Sequence, residues 1–199
     1  MSNKLDTPLV GLQNPPGTAV KRGNAGTVEL EEIPFPELVD LRGNPQDGAF
    51  GKVVAATIGA ALPIRPNTIS ESASHIIHWL GPDEWLIRSK EPLPEGGQLA
   101  ARLLEALKGQ FSAVTDQSSA YSVMQLRGPQ ARAVLNKGCP LDLHPSVFGA
   151  GQCAQSHYFN ASVLLRPLDA TGDAWELTVR RSFADATARI ALDAMQEFI

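Results

Sequence analysis

The chain has 199 residues, 43% of them hydrophobic and 19% charged, with a formal net charge of −4 and a pI near 5.6. That length supports one sizeable domain or two small ones sharing a core. The acidic balance argues against nucleic acid, whose binders carry a basic stripe, and no apolar run approaches the ~18 residues of a membrane helix.

The charged fraction lies below the usual quarter, as expected of a chain that buries part of its outside against partners. The start, "MSNKLDTPLVGLQNPPG", lacks the apolar core of a signal peptide, so the expected compartment is the cytoplasm. Cys139 and Cys153 are the only cysteines. In a reducing compartment they are expected as two packed thiols and not as a disulfide.

Residues 1–32, with "QNPPGTAVKRGNAGTVELEE", are rich in Pro, Gly and Asn and show no sustained periodicity. They read as an extended N-terminal arm, disordered or laid along another surface, and deleting residues 1–27 is expected to weaken assembly with a partner while leaving the domain's own folding intact. "ELVDLRG" then alternates, Val39 and Leu41 inward, Asp40 and Arg42 outward, as a half-buried strand does. "NPQDGAFGKVVAATIGAALP" predicts a helix capped by Asn44, with Pro45 in first position and Asp47 completing a capping box. Phe50, Val53, Val54 and Thr57 would face inward, and Gly59 and Pro63 would end it.

His75–Leu80 and Trp85–Ser89 read as two strands joined by a tight "GPDE" turn, with Trp79 and Trp85 as hairpin core. "GGQLAARLLEALKG" predicts a helix burying Leu99, Ala100, Leu103, Leu104 and Leu107. "FSAVTD" and "AYSVMQL" are expected as strands, and "RGPQARAVLNKGCP" as a short helix with Ala131, Val134 and Leu135 inward. "ASVLLR" and "AWELTVR" are further strands; Trp175, Leu177 and Val179 would face the core, Glu176, Thr178 and Arg180 the solvent. A last helix from Ser182 would bury Phe183, Ile190, Ala191, Ala194, Met195 and Phe198. The order β-α-β-β-α-β-β-α-β-β-β-α predicts an α+β protein, mostly antiparallel sheets with helices on one face. Residues 33–199 form a single domain in this reading, with two pseudo-repeated halves as a variant suggested by a faint echo between "WLGPDEWL" and "QLRGPQARAVL".

Chemistry is scarce. His75 and His78 lie three apart in a strand, so their imidazoles diverge and cannot share a metal; one is expected at the surface and one in a packed spot. His144 and His157 stand alone. Cys139 follows a helix C-terminus, where partial negative charge raises a thiol pKa, while Lys137 pulls the other way. No phosphate cradle, nucleophile elbow or dinucleotide fingerprint occurs. Asp116, at a strand end, is the one carboxylate in a site-like setting, with a turn-capping role the simpler reading. The expected assignment is therefore no catalytic, cofactor-binding or metal-binding residue in this chain.

Several segments, in order from Asp40 to Met195, resemble the gamma subunit family of bacterial heterotetrameric sarcosine oxidase. They are "LRGNPQDGAF", "IGAALPIRPNT", "HWLGPDEWLI", "VTDQSSAYSVMQLRGPQARAVLNKGCPLDLHPSVF", "ASVLLRP" and "WELTVRRSFADATARIALDAM". The resemblance implies a fold similar to the folate-binding domain of aminomethyltransferase and a non-catalytic role beside alpha, beta and delta subunits. It implies a complex that oxidises sarcosine to glycine with hydrogen peroxide, passing the methyl carbon to tetrahydrofolate or losing it as formaldehyde. FAD, FMN, NAD, tetrahydrofolate and zinc are implied for the other subunits. Gamma-type subunits of related N-methyl amino acid dehydrogenases would look much the same. A free-standing folate-binding transferase would need Asp116 with Arg127 or Arg166 as pterin and glutamate contacts. The folate-dependent iron–sulfur maintenance proteins share the fold and a Lys-Gly-Cys motif. Here Lys137–Cys139 are followed by Pro140, Leu141 and Asp142, which removes most of it.

Overall fold

In the computed structural model, which describes residues 6–14, 18–24, 26–92 and 98–198, strand and helix boundaries follow local chemistry closely. The strands are β1 (Lys21–Asn24), β2 (Val28–Ile33), β3 (Pro36–Gly43), β4 (Ile69–Glu71), β5 (His75–Gly81), β6 (Glu84–Pro92), β7 (Ser112–Asp116), β8 (Tyr121–Arg127), β9 (Ala154–Tyr158), β10 (Ala161–Pro167) and β11 (Ala174–Arg180). The helices are α1 (Gly48–Ile58), α2 (Leu99–Ala106), α3 (Ala131–Asn136) and α4 (Arg181–Met195). The chain divides into two compact units, one of Phe35–Ser119 with Gly151–Ala154, the other of the segment up to Pro34, Ala120–Ala150 and Gln155 onward.

The first unit holds a five-stranded sheet in the order β4-β5-β6-β3-β7. β3 pairs antiparallel with both β6 and β7, and β5 with β4 and β6. Its core joins Val39, Leu41, Ile77, Trp85 and Ile87 of the sheet to Phe50, Val54 and Ile58 of α1 and Leu99 and Leu103 of α2. The Trp85 indole N–H donates to the Pro63 carbonyl at 2.8 Å, so its polar edge is satisfied inside the core. Asp47, not Asn44, is the N-cap of α1, its carboxylate accepting from the Ala49 amide at 2.8 Å. Asn44 instead closes an Asx turn onto the Gln46 amide, and the helix starts one turn later than expected. Gly59 is the C-cap, in the left-handed conformation.

The second unit holds a six-stranded sheet, β1-β2-β8-β11-β10-β9, against which α3 and α4 pack. α4 keeps only part of the expected stripe, Ala191, Ala194 and Met195. It buries Ala184, Thr187, Ala188, Ala191, Ala194 and Met195, while Phe183 and Ile190 are 48% and 37% exposed. Small residues on the inner face let the helix lie close to the strands, and that close approach outweighs the burial of two large side chains. Leu104, expected inside, is 57% exposed on α2, whose buried face is formed by Leu99 and Leu103. Lys137 ties down the last turn by bonding the Ala194 carbonyl, pairing with Glu197 and lying 4.8 Å from the Phe198 ring centroid.

The N-terminal segment is extended, as its composition implies, but much of it belongs to the second unit. β2 pairs with β8 over Glu29–Ile33, and β1 pairs with β2. Leu9, Val20, Val28 and Leu30 are buried. Glu32, also buried, accepts from the Thr7 hydroxyl and the Val20 amide. Arg181 donates to the Asp6 carbonyl at 2.7 Å and Arg22 to the Leu12 carbonyl at 2.8 Å. An independent arm over 1–32 is therefore corrected: sparse local periodicity hid a segment whose apolar residues are buried through contacts far away in sequence.

The two units share one plan. β3-α1-β4-β5-β6-α2-β7 and β8-α3-β9-β10-β11-α4 run in the same order, and β2, from the N-terminus, stands beside β8 where β7 stands beside β3. Leu41 pairs with Trp85 in one sheet and Leu126 with Trp175 in the other. Phe50 lies 6.0 Å from Trp85 and Phe148 5.6 Å from Trp175, between ring centroids. The matching sequence is Leu41-Arg42-Gly43-Asn44-Pro45-Gln46 against Leu126-Arg127-Gly128-Pro129-Gln130. Neither glycine tolerates a Cβ: at Gly43 it would overlap the Phe50 ring, and at Gly128, where φ is +119°, the Thr27 carbonyl. The echo quoted above compares non-equivalent places, a β5–β6 hairpin with a β8–α3 junction.

Candidate functional site

The sequence-derived candidates are placed one by one. β5 carries both histidines, and strand alternation sends His75 to the side of Ile77 and His78 to the side of Ile76. Both are buried, at 6% and 1% exposure, so the expected surface histidine is corrected. His78 Nδ1 lies 3.1 Å from the Leu86 carbonyl. His75 Nδ1 lies 2.8 Å from the Ser74 hydroxyl. Burial, and secondarily the Arg102 charge, lowers the His75 pKa, against the Ile58 carbonyl and Glu37, which raise it. Neutral imidazole is the form this setting favours.

His75 opens onto a polar cleft of about 420 Å³ lined also by Glu37, Thr57, Gln98 and Arg102. Two of its charged groups, Glu37 and Arg102, serve helix ends. Glu37 Oε1 accepts from the Leu99 amide at 2.6 Å, replacing the side-chain cap that Gln98 does not provide. Arg102 donates to the Thr57 carbonyl at 2.9 Å, in the last turn of α1. The cleft is thus a place where two helix termini are satisfied by side chains.

Arg127 and Arg166, the guanidinium groups considered for a folate tail, are engaged within the second unit. Arg166 Nε donates to Glu176 Oε1 at 2.9 Å, Gln125 Nε2 donates to Glu176 Oε2 at 3.0 Å, and Arg127 donates twice to Gln125 Oε1 at 2.6 and 3.1 Å. This row crosses β8, β11 and β10 through the register pairs Gln125–Glu176 and Glu176–Arg166. Glu176 and Thr178, expected in solvent, are 1% and 3% exposed. The correction has a plain cause: β8, β10 and β11 are buried on both faces, and the carboxylate is tolerated because its partners come with it.

Asp116 accepts from the Ser118 amide at 2.9 Å and hydroxyl at 2.6 Å, a strand-end turn. Cys139 and Cys153 are both buried thiols, not joined to each other, and Cys153 Sγ donates to the Thr68 carbonyl at 3.5 Å. Cys139 Sγ lies 3.8 Å from the Ser156 hydroxyl, and the Phe159 ring sits over Gly138, where a Cβ would overlap it. Beside this thiol Tyr158 is buried, and that burial, with Cys139 adding, raises its phenol pKa. His144 bonds Ser146 on the surface, and His157 is exposed on β9. Among the described residues no group of three His, Cys, Asp or Glu could hold a metal ion, and no helix is long and apolar enough to cross a membrane.

A second cleft, of about 570 Å³, was not foreseen from the sequence. Arg42, Gly43, Asn44, Pro45, Asp83, Phe111, Ser112 and Ala113 line it, at the start of β7. Phe111 is 98% exposed. Arg42 bridges Asp40 at 3.2 Å and Glu84 at 2.7 Å. Its pKa is raised, first by the Asp40 hydrogen bond and then by the Glu84 charge. The Glu84 pKa is raised by burial and by Asp40, despite Arg42. The sequence places Phe111 at the head of the strand "FSAVTD"; β7 begins one residue later, at Ser112.

Residues 42–197 match the family described as "Sarcosine oxidase, gamma subunit family". The chain belongs to that family. The sarcosine oxidase subunit gamma of Corynebacterium sp. (strain P-1) is 40% identical over 176 residues, covering 87% of this chain and 83% of the relative. That of an Arthrobacter species is 39% identical over 177 residues, covering 87% and 83%. Among solved structures, a chain of the heterotetrameric sarcosine oxidase from Corynebacterium sp. U-96 matches with a TM-score of 0.81 and 31% identity, over 98% of this chain and 96% of that one. Aminomethyltransferase T of the glycine cleavage system from Bartonella henselae matches at TM-score 0.63 and 18% identity, over 95% of this chain and 57% of that one. This second likeness shows the fold, which is the α+β fold expected from the order of elements. The gamma subunit family match covers most of both units and leaves the first 41 residues, β1 and β2 among them, outside its limits.

Proposed function

We propose that the chain serves as the non-catalytic gamma subunit of a heterotetrameric sarcosine oxidase in the cytoplasm. In this reading it stands beside alpha, beta and delta subunits, which hold FAD, FMN, NAD, tetrahydrofolate and zinc. The assembly oxidises sarcosine with oxygen and tetrahydrofolate to glycine, hydrogen peroxide and 5,10-methylenetetrahydrofolate; without folate, water takes its place and formaldehyde leaves. The observation that carries the reading is the whole-length match, 98% of this chain against 96% of a chain from such a heterotetramer. It is supported from inside the chain. The buried ionisable groups Glu32, Glu37, His75, Arg166 and Glu176 hold amides, carbonyls, hydroxyls or one another, which is structural work.

The test is to purify the chain alone and co-expressed with the other subunits, then record flavin absorbance and sarcosine-dependent peroxide release. The expected result is flavin and peroxide with the assembly and neither with the chain alone. A yellow isolated chain that oxidises sarcosine overturns the reading.

A further inference from the structure

We draw no further inference here: the strongest candidate, the edge of β7, which among the described residues pairs with β3 alone and carries the exposed Phe111 and its cleft at its head, is a face for which nothing in the structure shows what covers it.

Discussion

Replacing Arg166 by Met is the sharpest probe of what holds the second unit. Glu176 is 1% exposed and accepts from Arg166 Nε at 2.9 Å and Arg166 Nη2 at 3.4 Å, and from Gln125 Nε2 at 3.0 Å. Losing the guanidinium leaves a buried carboxylate with much of its compensation gone. Breaking one side of such a pair costs about 3–5 kcal/mol. For a chain of this size that is a fall of roughly 6–20 °C in the unfolding midpoint. Glu176→Gln should cost a similar amount, because it strands the Arg166 charge instead. The double variant Arg166→Met, Glu176→Gln removes both charges, and its amide can still bond Gln125. It is expected within about 1 kcal/mol of wild type. Thermal and urea unfolding followed by circular dichroism provide the four corners of the cycle. The reasoning fails if Arg166→Met costs less than about 1 kcal/mol, or if the double variant is as unstable as the singles.

Gly43→Ala should destabilise by about 1–3 kcal/mol, since its Cβ meets a Phe50 ring already packed on Trp85, whereas Gly48→Ala, with open space around it, should be neutral or stabilising; urea midpoints of the two variants decide. The lowered His75 pKa makes stability depend on pH: the unfolded state takes up a proton near pH 6.5 and the folded state only lower, so stability is full above about 6.5 and falls as pH drops through the folded value. His75→Gln should flatten that part of the pH–stability curve, and an unchanged slope would contradict the assignment. Deleting residues 1–27 should lower the midpoint of the isolated chain by more than about 5 °C, because Leu9, Leu12 and Val20 are buried and Glu32 would lose Thr7; a midpoint equal to wild type would restore the independent arm.

Much of the fold was legible where a segment's own pattern decided it. Val39 and Leu41 alternate with Asp40 and Arg42, and Ala131, Val134 and Leu135 recur at helical spacing, so strand and helix followed. What was hidden depended on partners distant in sequence. Val28 and Leu30 of β2 read as part of an irregular tail because β8, the strand that orders them, lies almost a hundred residues on. Glu176 read as solvent-facing because period-two alternation cannot tell an exposed face from a second buried one; only Gln125 and Arg166 on the neighbouring strands reveal it. α4 misled in another way: Phe183 and Ile190 dominate a hydrophobicity pattern, yet close packing chose the alanine face. The open edge at Ser112–Asp116 was not legible, since nothing in a strand's own sequence says how many neighbours it has.

The central claim is that this chain works as one member of a larger assembly, and the most direct measurement is its mass in company. Native mass spectrometry of the complex recovered on a tagged copy of this chain, co-expressed with alpha, beta and delta subunits, should give one copy of each chain with the flavins retained. Recovery of the chain alone or as a homo-oligomer, with the other subunits in an active complex that lacks it, would contradict the account.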